Sequence, residues 1–171
     1  MKRLRAHPVF LRAQHIACYM AADGEIELQP LMQVIEALGK RCYLPVLHPL
    51  KKGHLWFVPY RSGDAMAANR YGIAEPRAQR QHLLPWALDL VLMPLVGFDR
   101  QGHRLGMGGG YYDRTFAFRK TNALGRSMPI LMGVAHACQE TEQLTIEDWD
   151  IPLDFVATDK EIIRAAVLQS D

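Results

Sequence analysis

Apolar and polar positions change period several times along the chain, and each change marks an element. Residues 16–20 and 90–96 are apolar runs of strand length, and the second, interrupted only by Pro94, predicts a strand covered on both faces. Between them, Leu28, Leu31, Met32, Ile35 and Leu38 recur at helical spacing, so residues 26–38 form an amphipathic helix that Gly39 ends. Further strands are expected at 41–47, 55–58, 130–135 and 155–158, with Pro45 pointing to a strand end or a sheet edge. Helices are expected from Tyr111 to about Lys120 and from a cap at Thr158 or Asp159 through Leu168. Residues 1–15 read as the end of a helix, and Leu144 and Ile146 suggest a short helical turn. Strands alternating with helices give an α/β fold whose mostly parallel sheet is covered on both sides.

Composition narrows the class without choosing a function. The chain has 171 residues, 49% hydrophobic and 22% charged, which suits one globular domain spanning 1–171 with a real core. A net charge of +2 demands no nucleic acid, and no apolar run reaches membrane-spanning length. Cys18, Cys42 and Cys138 each lie in an apolar stretch without CxxC spacing, so buried, reduced thiols in a cytoplasmic monomer are expected.

The chemistry concentrates after the second apolar run. A turn at 99–102 leads to Arg104 and Leu105, then to Gly106, Met107, Gly108, Gly109 and Gly110, and then to Tyr111, Tyr112 and Asp113. Four glycines in five residues exclude a helix interior, because each costs about 1 kcal/mol there relative to alanine. Strand, glycine loop and helix start together collect backbone N–H groups around an anion, with Arg104 as a fixed charge and Asp113 placed to hold a divalent cation. The other reading is a tight turn whose carboxylate serves only the helix dipole. Glu25, after the first strand, is either a first-turn carboxylate or an acceptor facing a ligand. The Gly- and Pro-containing stretch 69–76 reads as a loop lining a site, and the turn Lys51-Lys52-Gly53-His54 as a solvated tip. No HExxH, GxSxG or nucleophile setting is present, so carboxylates, Asp113 and Asp150 first, are the metal ligands to expect.

The segment GFDRQGHRLGMGGGYYDRTFAF resembles the signature of the 5-formyltetrahydrofolate cyclo-ligase family. IACYMAADGEIEL, GKRCYLPVL, NRYGIAEP, GVAHACQ and WDIPLDFVAT extend the resemblance, in order, along essentially the whole chain. It implies a three-layer α/β/α sandwich of the sugar-phosphate isomerase and coenzyme A transferase type. It also implies ATP- and Mg²⁺-dependent conversion of 5-formyltetrahydrofolate to 5,10-methenyltetrahydrofolate, ADP and phosphate. By this resemblance Arg104, Leu105 and the loop from Gly106 to Tyr112 hold ATP, with Arg104 and Tyr111 the catalytic pair. Met20, Glu25 and Met107 to Tyr111 face the folate, and Asp113 and Asp150 hold Mg²⁺. The chain departs from the family pattern in carrying Met107 and Gly109 where some relatives have a cation. It also begins near the end of the usual amino-terminal helices, and Lys2-Arg3-Leu4-Arg5 matches the family's K-x-x-L-R element one residue short. The alternative function is therefore a folate- or nucleotide-binding protein with little turnover, and an anion- or RNA-binding module is a third.

Overall fold

The computed structural model describes residues 2–77, 81–121 and 129–166. In chain order these form α1 (Lys2–Ala6), α2 (Pro8–Arg12), β1 (His15–Ala17), α3 (Gln29–Ala37), β2 (Arg41–Leu47) and β3 (Leu55–Tyr60). A hairpin of β4 (Met66–Ala68) and β5 (Ala74–Pro76) follows, then β6 (Leu90–Pro94) and a second hairpin of β7 (Gly97–Phe98) and β8 (Arg104–Leu105). The chain continues through α4 (Tyr111–Phe116), α5 (Phe118–Thr121), β9 (Ile130–Val134), β10 (Phe155–Ala157) and β11 (Ile162–Arg164). Seven strands make the main sheet in the order β11-β10-β9-β6-β1-β2-β3, parallel except for the β10–β11 and β2–β3 pairs. A mostly parallel sheet covered on both faces is thus what the apolar runs require.

Period-2 alternation divides the core in two. Ile16, Leu90, Leu92 and Met132 point to the face covered by Leu4, Phe10, Leu31, Met32 and Ile35 of the first three helices. Ala17, Val91, Met93 and Leu131 point to the opposite face, against Phe98, Phe116, Ile151 and Leu153. Helix α3 ends as expected, with Gly39 at φ +69° just past its last turn.

The structure corrects several expectations. Beyond Thr158 the chain turns back as β11 instead of starting a helix, and Leu168 lies outside the described residues. Thr158 accepts hydrogen bonds from the N–H groups of Lys160 and Glu161 at its hydroxyl, and donates its own N–H to the Glu161 carbonyl. That closes a tight reversal, after which the β-branched pair Ile162-Ile163 favours extended pairing. Pro45 sits inside the sheet, since β2 has β1 on one side and β3 on the other. It is tolerated because the β1 register ends at Ala17↔Tyr43, two residues earlier. The segment holding Leu144 and Ile146 has no helix, and the expected helix from Tyr111 breaks at Ala117 into α4 and α5. Cys18 and Cys42 are buried but Cys138 is exposed.

Candidate functional site

The glycine loop owes its position to a rigid turn just before it. Asp99, fully buried, accepts hydrogen bonds from the N–H groups of Gln101, His103 and Leu144 and from His103 Nδ1, all between 2.9 and 3.1 Å. Burial alone would raise its carboxyl, but the bonds donated by Leu144 and His103 outweigh that and hold it below the usual carboxylate range. Gly102, at φ +90°, lets the turn lie flat on the chain at Leu153: a Cβ there would come within 2.6 Å of the Leu153 carbonyl oxygen.

This turn delivers Arg104 into a nearly dry setting. One terminal nitrogen of its guanidinium donates to Asp113 Oδ1 at 2.5 Å, and the other donates to the Ile151 carbonyl. The same Oδ1 accepts the Ile151 N–H at 3.1 Å. The two side chains are only 8% and 18% exposed, so the pair is a built element rather than a surface contact. Asp150 lies one residue before Ile151, and its Oδ2 accepts the Glu147 N–H at 2.9 Å. Arg104, Asp150, Ile151 and His103 line a cavity of about 100 Å³. Among the described residues no group of three or more His, Cys, Asp or Glu side chains is arranged to hold a metal ion alone.

Gly106, Met107, Gly108 and Gly109 then run exposed and Gly110 is half-buried, with Gly108 at φ +77° and Gly110 at φ +57°. Tyr111 opens α4 on the far side of the loop. Its hydroxyl accepts a 2.6 Å hydrogen bond from Arg70 and lies 2.7 Å from the Tyr71 hydroxyl. The Tyr71 hydrogen bond and the Arg70 guanidinium both favour the ionised phenol, so Tyr111 is more acidic than an ordinary tyrosine. Arg114 stands over the Tyr111 ring and donates to the carbonyls of Gly53 and Gly109, pinning the loop to the turn before β3. Lys52, Arg70, Tyr71, Tyr111 and Arg114 line a second cavity of about 430 Å³.

Met20 and Glu25 follow β1 and complete the surroundings. Met20 is half-buried against the core. Glu25 accepts the Ala22 N–H at 3.0 Å, and burial raises its carboxyl although that bond pulls the other way. Burial, with a smaller contribution from the Glu25 charge, raises the phenols of Tyr19 and Tyr112. Arg104, Asp113 and Asp150 therefore gather around the Ile151 peptide, and Tyr111 joins Arg70, Tyr71 and Arg114 at the second cavity.

Arg70, Tyr71, Arg114 and Lys52 escaped the sequence reading as individuals. Stretch 69–76 carried a signal, since it reads as a site-lining loop. Asn69 folds it by accepting the N–H groups of Tyr71 and Ile73 and donating to Glu75, which also accepts the Leu47 N–H. Lys52 gave no signal, because a lysine in a turn looks like a solvated tip.

Comparison with known proteins finds relatives of this chain in both sequence and structure. The sequence pattern of the 5-formyltetrahydrofolate cyclo-ligase family matches residues 1–159. The chain is 41% identical to the 5-formyltetrahydrofolate cyclo-ligase of Escherichia coli K12 over 161 residues, covering 94% of this chain and 86% of that protein. It is 45% identical to the Haemophilus influenzae protein of the same name over 143 residues, covering 83% and 74%. The NMR structure of Aquifex aeolicus 5,10-methenyltetrahydrofolate synthetase superimposes with a TM-score of 0.76 at 31% identity, over 99% of this chain and 81% of that one.

Proposed function

The chain belongs to the 5-formyltetrahydrofolate cyclo-ligase family, and from that membership and its site we propose that it cyclises 5-formyltetrahydrofolate to 5,10-methenyltetrahydrofolate at the expense of ATP. The observation that carries this reading is the pair of unlike environments flanking one glycine loop, with no serine or cysteine among the described residues that line either. A formyl amide is a poor electrophile, and its oxygen must become a leaving group before N10 of the folate can attack. Transfer of the γ-phosphoryl to that oxygen achieves this, and N10 then expels phosphate as the ring closes. Such chemistry asks the protein for positioning and charge stabilisation rather than for a covalent intermediate.

The residues suit those tasks. The backbone amides of Gly106, Gly108 and Gly109, all exposed, can approach a phosphate closely because these residues carry no Cβ. Arg104 stands behind them as a fixed positive charge whose direction Asp113 and Ile151 set. Tyr111, held by Tyr71 and Arg70, offers its ring and an acidified hydroxyl to the folate. Glu25, raised by burial, is an acceptor for the folate's ring N–H groups, and Met20 is an apolar wall beside it.

The donor set also fits Mg²⁺. Both bonds of Asp113 use Oδ1, and Asp150 flanks the same Ile151 peptide, so two carboxylates stand together with free oxygen capacity. Mg²⁺ is held by one or two carboxylates plus substrate phosphates, and it supplies charge neutralisation to the triphosphate. The test is direct: purified protein, 5-formyltetrahydrofolate, ATP and Mg²⁺ should yield the methenyl chromophore together with ADP. Absence of the chromophore with all components present would overturn the proposal.

A further inference from the structure

The second cavity has a charge pattern that the phosphoryl chemistry does not require. Lys52, Arg70 and Arg114 converge on it, and among the described residues no carboxylate lies within ion-pairing distance of any of them. Elsewhere in the described structure, Arg100, Arg104 and Arg119 are each paired with Asp or Glu. Three like charges around about 430 Å³ repel one another, and an anion entering between them relieves that repulsion.

The cations are also oriented. Arg114 is fixed by its bonds to the Gly53 and Gly109 carbonyls, and an added Cβ at Gly53 would come within 2.4 Å of its Nε. Arg70 lies 4.9 Å from the Tyr71 ring centre and donates to the Tyr111 hydroxyl. Lys52 is exposed on the opposite rim, at the tip of the turn before β3.

Two anions could fill such a cavity in a cyclo-ligase. A triphosphate arrives with a divalent cation and needs carboxylates nearby; these line the other side of the loop, at Asp113 and Asp150. The second cavity has no acidic lining residue, so it suits a metal-free carboxylate at the end of an aromatic body. Resting on the function proposed above, we infer that Lys52, Arg70 and Arg114 form the subsite for the glutamate carboxylates of the folate, with Tyr71 and Tyr111 bordering its aromatic portion. The subsite therefore selects glutamate-bearing substrate over the same pterin and benzoyl framework without it.

The test compares 5-formyltetrahydrofolate with 5-formyltetrahydropteroate, which lacks the glutamate, in the wild type and in Lys52→Ala and Lys52→Glu. Lys52 is exposed and its ammonium bonds no backbone group among the described residues, so these variants keep the fold. One charge-assisted contact in a partly solvated site is worth about tenfold in KM. The wild type should show a KM for the pteroate at least that much higher. Lys52→Ala should raise KM for the glutamate-bearing substrate alone, with kcat unchanged, and Lys52→Glu should raise it further. The preference should also shrink as ionic strength rises. Equal wild-type KM values for the two substrates, or a Lys52→Ala effect falling on both alike or on ATP instead, would overturn the subsite and leave the function standing. No methenyl product from either substrate would overturn the function itself, and the subsite with it.

Discussion

The two sides of the glycine loop use arginine in opposite ways. Arg104 is nearly buried, and Asp113 and Ile151 take both of its terminal nitrogens. Arg70 and Arg114 are exposed, without carboxylate partners among the described residues, and bond neutral oxygens only. A buried charge without its partner costs several kcal/mol, so the Arg104 side must be internally neutralised to exist at all. On the open side solvent screens the charges, and they can remain unpaired until an anion arrives. The closed side thus carries its neutralising partner within the fold, and the open side leaves its cations available to an anion.

The sharpest way to break this contrast is to remove Asp113. Asp113→Ala leaves Arg104 buried without a counter-charge and the Ile151 N–H without an acceptor. A loss of about 3 kcal/mol in urea unfolding is expected, together with a fall in kcat/KM of at least about 10²-fold. Asp113→Asn keeps an oxygen for both donors but still leaves Arg104 without its counter-charge, so it should lose less stability than Asp113→Ala and also lose Mg²⁺-dependent turnover. Equal stability losses in the two variants would mean that charge pairing, not hydrogen bonding, holds the closed side together. Full Mg²⁺-dependent activity in Asp113→Asn would remove Asp113 from the metal site.

A smaller effect is expected on the open side, where backbone oxygens replace carboxylates. Gly53 has φ +77°, and an added Cβ would collide with Arg114 Nε at 2.4 Å. Gly53→Ala therefore combines left-handed strain with displacement of Arg114, a loss of about 1–2 kcal/mol. It should raise KM for the folate more than KM for ATP. If ATP suffers more, Arg114 serves the nucleotide and the division between the two sides fails.

The closed side was largely legible in the sequence, and the open side was not. Arg104, the glycines and Asp113 lie within ten residues of one another, so chain order brings them together. Lys52, Arg70 and Arg114 come from three separated segments, joined only because Arg114 reaches back to the Gly53 carbonyl and Asn69 folds stretch 69–76. No local pattern encodes such a meeting. The strand at residues 162–164 was missed for a related reason. Thr158 looks like a helix cap, and the same hydroxyl that would cap a helix instead closes a reversal onto β10. The central strands were legible because burial on both faces leaves an uninterrupted apolar run.

The smallest expected effect concerns Glu25, which lines neither cavity and is held by the Ala22 N–H. Burial is the largest influence on its carboxyl and raises it above the ordinary value. An acid raised on folding stabilises the native state only while it is protonated. Its contribution is complete below the unfolded-state pKa, about 4.3, and is lost as pH rises through the folded value. Above the unfolded-state value, burial of this carboxyl is a net cost to the folded state. Glu25→Gln removes the carboxylate charge while its amide oxygen can still accept the Ala22 N–H. The variant should melt above the wild type at pH 7, and the two curves should converge as the pH falls below about 4. Folate affinity should fall in the same variant, because an amide is a weaker acceptor for the folate's N–H groups than a carboxylate. Measuring both properties across pH separates the two roles. A melting temperature below the wild type's at pH 7 would mean that the Ala22 bond outweighs burial. Unchanged folate affinity would leave Glu25 a loop-holding carboxylate and nothing more.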